Sequence, residues 1–203
     1  MNITALLTEE FGLLTKYVEN IIALIDEGNT IPFIARYRKE LTGSVDDQVL
    51  RALADRLAYL RNLEKRREEI LRSIEEQDKL TDALRDAIDR AETLTALEDL
   101  YRPYRPKRRT RATVARERGL APLAELILAQ QLDDAALARA AEDYVDAEKG
   151  VEDASAALSG AGDIIAEQLS DDAAIRAAAR DRLRRGAKLT ARAAKEEDSV
   201  YRM

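Results

Sequence analysis

The sequence has no cysteine, no histidine and no tryptophan, and aromatic residues make up only 4% of it. Without a thiol or an imidazole, zinc sites, disulfides, c-type haem attachment, thiolate nucleophiles and imidazole general bases are excluded for want of the atoms. The lack of cysteine also fits a reducing compartment, and the expected location is the cytoplasm. No stretch approaches the roughly 18 apolar residues that cross a bilayer, and no charged segment with an apolar core follows Met1, so no membrane partner is expected. Four prolines and eight glycines leave few obligatory turns.

What remains is alanine, leucine and charge. The 203 residues are 46% hydrophobic and 35% charged, enough apolar material for the core of one good-sized domain or two small ones. Because Ala and Leu carry most of it, the expected class is all-α. The pattern along the chain predicts a multi-helix scaffold with a helix-turn-helix-like N-terminal part, residues 1–43, and one long bridging helix within 44–80. A helical bundle follows over 81–186.

Local signals set the expected boundaries. Val18, Ile21, Ile22 and Ile25 recur at helical spacing, Gly28 ends that helix, and Thr30 with Pro32 starts another. The second helix is expected to be anchored by Ile31, Phe33, Ile34 and Tyr37, with Arg36, Arg38 and Lys39 as its polar surface. Ser44 with Asp47 reads as a variant capping box, and the long helix is expected from about Asp46 to Asp78, on the order of 50 Å. Its seams, Leu50 to Leu60 and Ile70 to Ile74, flank the charges of EKRREE at 64–69, which predicts a solvated waist. Thr81, the pair Thr95 with Glu98, Thr110 and Pro122 open further helices, and the one over 151–169 is expected to be interrupted around Ser159 to Gly162.

Chemistry is hard to place on these residues. The carboxylates fall mostly at spacings of one and four on helix faces, which reads as solvation rather than acid–base pairing. SGAGD at 159–163 has Ile165 where a dinucleotide fingerprint needs its third glycine, and no strand pattern precedes it. No catalytic residue, metal or cofactor is expected, and the protein is read as not an enzyme.

One window stands apart. Residues 102–118 hold Arg102, Arg105, Lys107, Arg108, Arg109, Arg111, Arg116 and Arg118 against Glu117 alone, a net +7 in a chain of net charge -6. Pro103 and Pro106 stiffen the start of the window, and a short helix begins at Thr110. The candidate binding residues are Arg105, Lys107, Arg108, Arg109 and Arg111, cationic groups beside a helix start, as a phosphate requires. Tyr101 and Tyr104 could stack on bases. The competing reading is internal: Leu97, Leu100, Tyr101 and Tyr104 share helical spacing, as core residues do, and the arginines could staple helices through the acidic remainder.

GNTIPFIARYRKELTG at 28–43 and LEDLYRPYRPKRRTRATVARERGLAPLA at 97–124 closely resemble the N-terminal region of the bacterial Tex family of transcription accessory proteins. EEQDKLTDALRDAI at 75–88 and ALSGAGDIIAEQLSDDA at 157–173 continue the likeness in order. The resemblance implies a multi-domain protein with helix-turn-helix-like elements, an RNase H-like domain, a helix-hairpin-helix unit and an OB-fold that binds nucleic acid. It implies that 187–203 is a truncated linker toward a missing RNase H-like domain. It further implies a non-catalytic scaffold acting in transcription, with RNA or DNA as a partner bound weakly by this chain and the transcription or translation machinery as further partners. A protein interaction module with no direct nucleic-acid contact is the alternative.

Overall fold

A computed structural model describes residues 2–106 and 108–191. Lys107 and residues 192–203, which include most of the expected linker, lie outside the described residues. The chain forms two compact units, residues 1–101 and 102–203. The fold is all-α: among the described residues there are twelve α-helices and one 3-10 turn, with no strand and a single isolated bridge between Asp146 and Val151.

The first unit contains α1 (Ile3–Phe11), α2 (Thr15–Asp26), α3 (Ile31–Tyr37), α4 (Lys39–Thr42), α5 (Asp47–Glu75), α6 (Asp82–Asp89) and α7 (Leu94–Tyr101). The helix α5 is continuous over 29 residues, about 44 Å, and it organises the unit. Its N-terminal half buries Leu50, Leu53, Leu57 and Leu60 against α1, α2 and α3, with Leu7, Val18, Ile21 and Ile34 in the same cluster. Its C-terminal half packs on α6 and α7, where Ile70, Ile74, Ile88 and Leu97 are fully buried. Each such side chain contributes about 1.5–3 kcal/mol on leaving water. That outweighs the half-exposed pairs of Arg56 with Glu10 and Arg61 with Asp26, each about 0–1 kcal/mol, though the guanidinium hydrogen bonds hold both carboxyls below their ordinary range.

The waist of α5 is not solvated on its inner face. Leu63, Arg67 and Ile70 continue the buried stripe at spacings of four and three, so the apolar seam is not split. Arg67, 5% exposed, donates to the carbonyls of Ile88 at 3.1 Å and Ala91 at 2.8 Å, and to Glu64 at 2.6 Å. The C-terminus of α6 leaves carbonyls without helical partners, and this guanidinium satisfies two acceptors there. The other charges of 64–69 occupy the outer faces.

Two caps also differ from expectation. Gly43 and Ser44 both adopt left-handed backbone, at φ 70° and 60°, so they turn the chain. Asp46 then caps α5 by accepting the Val49 N–H at 2.9 Å. At Gly43 a Cβ would lie 2.7 Å from the Tyr17 ring, so both conformation and space require glycine. Thr93 rather than Thr95 accepts from Ala96 N–H at the start of α7, because Glu98 is drawn to Arg66 at 2.6 Å. Thr81 caps α6 as expected.

The second helix of the N-terminal pair is shorter than expected and differently anchored. Backbone at Arg38 departs from helical geometry (φ -131°, ψ 29°) and separates α3 from α4. Ile34 is fully buried, Ile31 and Phe33 are partly buried, and Tyr37 is 61% exposed. Seven residues make less than two turns, so only one stripe can face the core. Tyr37 instead packs on the Phe33 ring at 5.3 Å, and Arg38 covers the same ring.

The second unit opens with a 3-10 turn at Arg102–Tyr104, followed by α8 (Arg111–Glu117), α9 (Ala121–Ala129), α10 (Asp134–Glu142), α11 (Ala154–Asp171) and α12 (Ala173–Gly186). Its core joins Ala112, Ala115, Leu120, Leu123, Val151, Ala157, Ala161 and Ile164. The helix α11 runs through Ser159 to Gly162 without interruption. Gly160 serves packing: a Cβ there would collide with the Leu120 side chain and lie 3.5 Å from Ala115 Cβ. The missing side chain lets α8 and α11 approach closely, and that gain overrides glycine's poor helix propensity of about 1 kcal/mol. No residue of α12 is buried.

Candidate nucleic-acid interface

The basic window follows directly on α7. At the end of that helix Tyr101 is 7% exposed, and its hydroxyl lies 3.0 Å from Ser73 Oγ. Its ring is core, which removes it as a stacking platform. Tyr104 is partly buried in the 3-10 turn. Arg105, Pro106 and residues 108–110 lie outside any helix, and Thr110 caps α8 by accepting the Thr113 N–H at 3.0 Å.

Four of the window's seven described cations meet carboxylates. Arg102 Nε donates to Asp171 at 3.0 Å, Arg111 lies 3.4 Å from Asp163, and Arg116 donates to Glu167 at 2.6 Å. These three acceptors recur every fourth residue, so one face of α11 is an acidic stripe laid against the basic window. Glu167 also accepts from the Thr110 hydroxyl at 2.9 Å, so the anion beside the start of α8 belongs to the protein itself. Arg109 pairs with Glu117 at 2.7 Å.

The five candidates therefore sit in different environments. Arg105 is exposed, and Lys107 lies outside the described residues. Arg108 is exposed and has no partner among the described residues. Arg109 and Arg111 are paired, but their side chains are 68% and 88% exposed, so each bridge is worth about 0–1 kcal/mol and exchanges readily with another anion. Arg109 and Arg111, with Arg118, line an open groove of about 510 Å³ between α8 and α11 that also presents Ser159, Gly160 and Asp163. The arrangement can take a phosphate by displacing a surface carboxylate. Among the described residues no group of three or more Asp and Glu side chains is placed to hold a metal ion. No described helix is long and apolar enough to cross a membrane.

The acidic stripe of α11 escaped sequence reasoning. Its signal was present, since Asp163, Glu167 and Asp171 stand at i, i+4 and i+8 of one helix. Nothing local says that this face lies opposite residues 102–116.

Fold and site together define an all-helical module with an arginine-rich surface segment, braced in part by one acidic helix face. The chain belongs to the Tex family. A family model described as Tex-like protein N-terminal domain matches residues 1–75, and one described as Tex central region-like matches residues 133–201. The chain is similar to "Transcriptional accessory protein Tex" of Neisseria gonorrhoeae, 51% identical over 183 residues that cover 90% of this chain and 24% of that protein. It is also similar to "Protein tex" of Bordetella pertussis, 52% identical over 182 residues, 89% of this chain and 23% of that protein. A more distant likeness, 36% over 110 residues, reaches "S1 RNA-binding domain-containing protein 1" of Homo sapiens, covering 54% of this chain and 11% of that protein. The chain thus spans about a quarter of the length of the bacterial relatives it matches.

Proposed function

We propose that this chain is a non-catalytic helical scaffold of a Tex-like transcription accessory protein, acting in the cytoplasm and contributing a weak, sequence-independent phosphate contact through Arg105, Lys107, Arg108, Arg109 and Arg111. The observation that carries the contact is the exposed Arg108, without a partner among the described residues, beside two arginines in exposed, easily exchanged bridges. The names of the relatives, a transcriptional accessory protein and an RNA-binding one, support the process. The non-catalytic reading rests on a sequence without His or Cys. Neutralising five phosphates of duplex DNA corresponds to a slope of about -4 to -5 in log affinity against log salt, with little dependence on sequence. Replacing Arg108 and Arg109 by Glu flattens that slope by about two and leaves the melting temperature unchanged, as read by fluorescence anisotropy and circular dichroism.

A second reading has its own support. Arg102, Arg111 and Arg116 reach the acidic stripe of α11, as internal braces would, and the chain then serves as a protein interaction module docking RNA polymerase, the ribosome or further domains. A double variant that binds DNA as the parent does but melts at lower temperature selects this reading.

A further inference from the structure

Residues 173–188 form a second concentration of positive charge: Arg176, Arg180, Arg182, Arg184, Arg185 and Lys188 against Asp181 alone, a net +5. Most of them lie on α12, fourteen residues long with none buried, and every residue from Asp181 to Leu189 is exposed. Arg182, Arg184, Arg185 and Lys188 have no hydrogen bond or ion pair with any described residue, and Asp181 on the same helix pairs with none of them. The contrast with residues 102–118 is sharp, since there four described arginines reach carboxylates.

Helix maintenance does not account for this. Arg184 and Arg185, in the last turn of α12, already complement the negative end of the helix. Arg180 and Arg184 are like charges four apart and repel. The excess of cation therefore costs helix stability, and Arg182, Arg184, Arg185 and Lys188 pair with nothing among the described residues of the second unit.

The placement of the charges indicates what the surface meets. At 3.6 residues per turn, Ile175, Ala179 and Leu183 form one stripe, with Ile175 45% and Leu183 61% exposed. Arg182 and Arg185 fall on one side of that stripe, and Arg176, Arg180 and Arg184 on the other. A flat acidic patch on a protein would call for cations gathered on one face. A membrane surface would call for a wide apolar face, and two large apolar side chains are too few. Cations on both flanks of a narrow helix match a polyanion with phosphates on both sides of it, as along a groove of a double helix.

We propose that α12 and the residues just after it, through Arg182, Arg184, Arg185 and Lys188, are a phosphate-backbone contact for double-stranded nucleic acid, distinct from residues 105–111 and stronger than them. This rests on the reading that the chain engages nucleic acid, and it assigns the main contact to other residues. These cations, unpaired among the described residues, release counterions on binding without first giving up a described carboxylate partner, which is why they dominate.

The test titrates a short fluorescent duplex DNA with the full chain over a range of salt, comparing the parent with R182E/R184E/R185E and with R108E/R109E. The triple variant is expected to bind roughly tenfold or more weakly at low salt, and to flatten the salt slope by about three, while melting as the parent does. Should charge reversal disturb folding, R182Q/R184Q/R185Q keeps good helix formers and flattens the slope by the same amount. A triple variant with the parent's slope, beside an R108E/R109E that loses binding, overturns the role of α12 and leaves the contact at residues 105–111 standing. Loss only in the triple variant upholds α12 and removes that contact. Parent-like binding by both variants overturns both. Binding to phosphatidylserine vesicles but not to DNA, abolished in the triple variant, also overturns the proposal, because the surface then reads a membrane.

Discussion

Residues 102–118 and 173–188 are both cationic islands in an acidic chain, with net charges of +7 and +5. The first lies against α11, where Asp163, Glu167 and Asp171 take up Arg111, Arg116 and Arg102. The second lies on a helix with no buried residue, and four of its cations meet no described carboxylate. The island with the larger formal charge is thus the better neutralised. Charge counted along a sequence measures composition, whereas the field at a surface depends on what the fold places within a few ångströms.

If the first island is a brace, its strength depends on the close approach of α8 and α11 over Gly160. The largest expected effect is therefore Gly160→Val, which forces an isopropyl group into Leu120 and costs about 2–3 kcal/mol in urea unfolding. Next comes Glu167→Ala. Its side chain is 16% exposed and serves both Thr110 and Arg116, so its loss costs about 1–2 kcal/mol. Arg185→Ala in the second island changes stability by no more than about 0.5 kcal/mol. Equal losses in those two variants would erase the distinction between the islands. The smallest effect is Asp163→Asn, which frees Arg111 at little cost in stability and raises DNA affinity about two- to threefold in anisotropy titrations. An unchanged affinity would mean that Arg111 is no part of the phosphate contact.

How far the molecule could be read beforehand follows from the same contrast. Helix class, the length of α5 and the caps at Thr81 and Thr110 are local properties, and each was legible from residue type and spacing. Ser159 to Gly162 was misread because glycine breaks a helix by local propensity, while Gly160 answers to Leu120, forty residues away in the chain. Arg67 was grouped with its charged neighbours because its partners are carbonyls of Ile88 and Ala91, which no side-chain pattern reveals. Tyr37 was placed inside on its apolar ring, although a seven-residue helix has only one buried stripe to offer. Among the candidate site residues, the cationic cluster was visible, but its division into braced and free members was not. The exposed cations of α12 drew no notice because +5 is less than +7.

The acidic stripe of α11 has a consequence for the order in which the second unit is assembled. Taken alone, residues 154–171 are a poor helix: two glycines each cost about 1 kcal/mol, and carboxylates four apart repel one another. The arginines that relieve this repulsion lie between residues 102 and 116, so they leave the ribosome ahead of residues 163–171. Vectorial synthesis thus presents α11 with its counter-charges already in place. A circular permutant that begins at residue 119 reverses the sequence of events, and α11 must then wait, uncompensated, for the end of the chain.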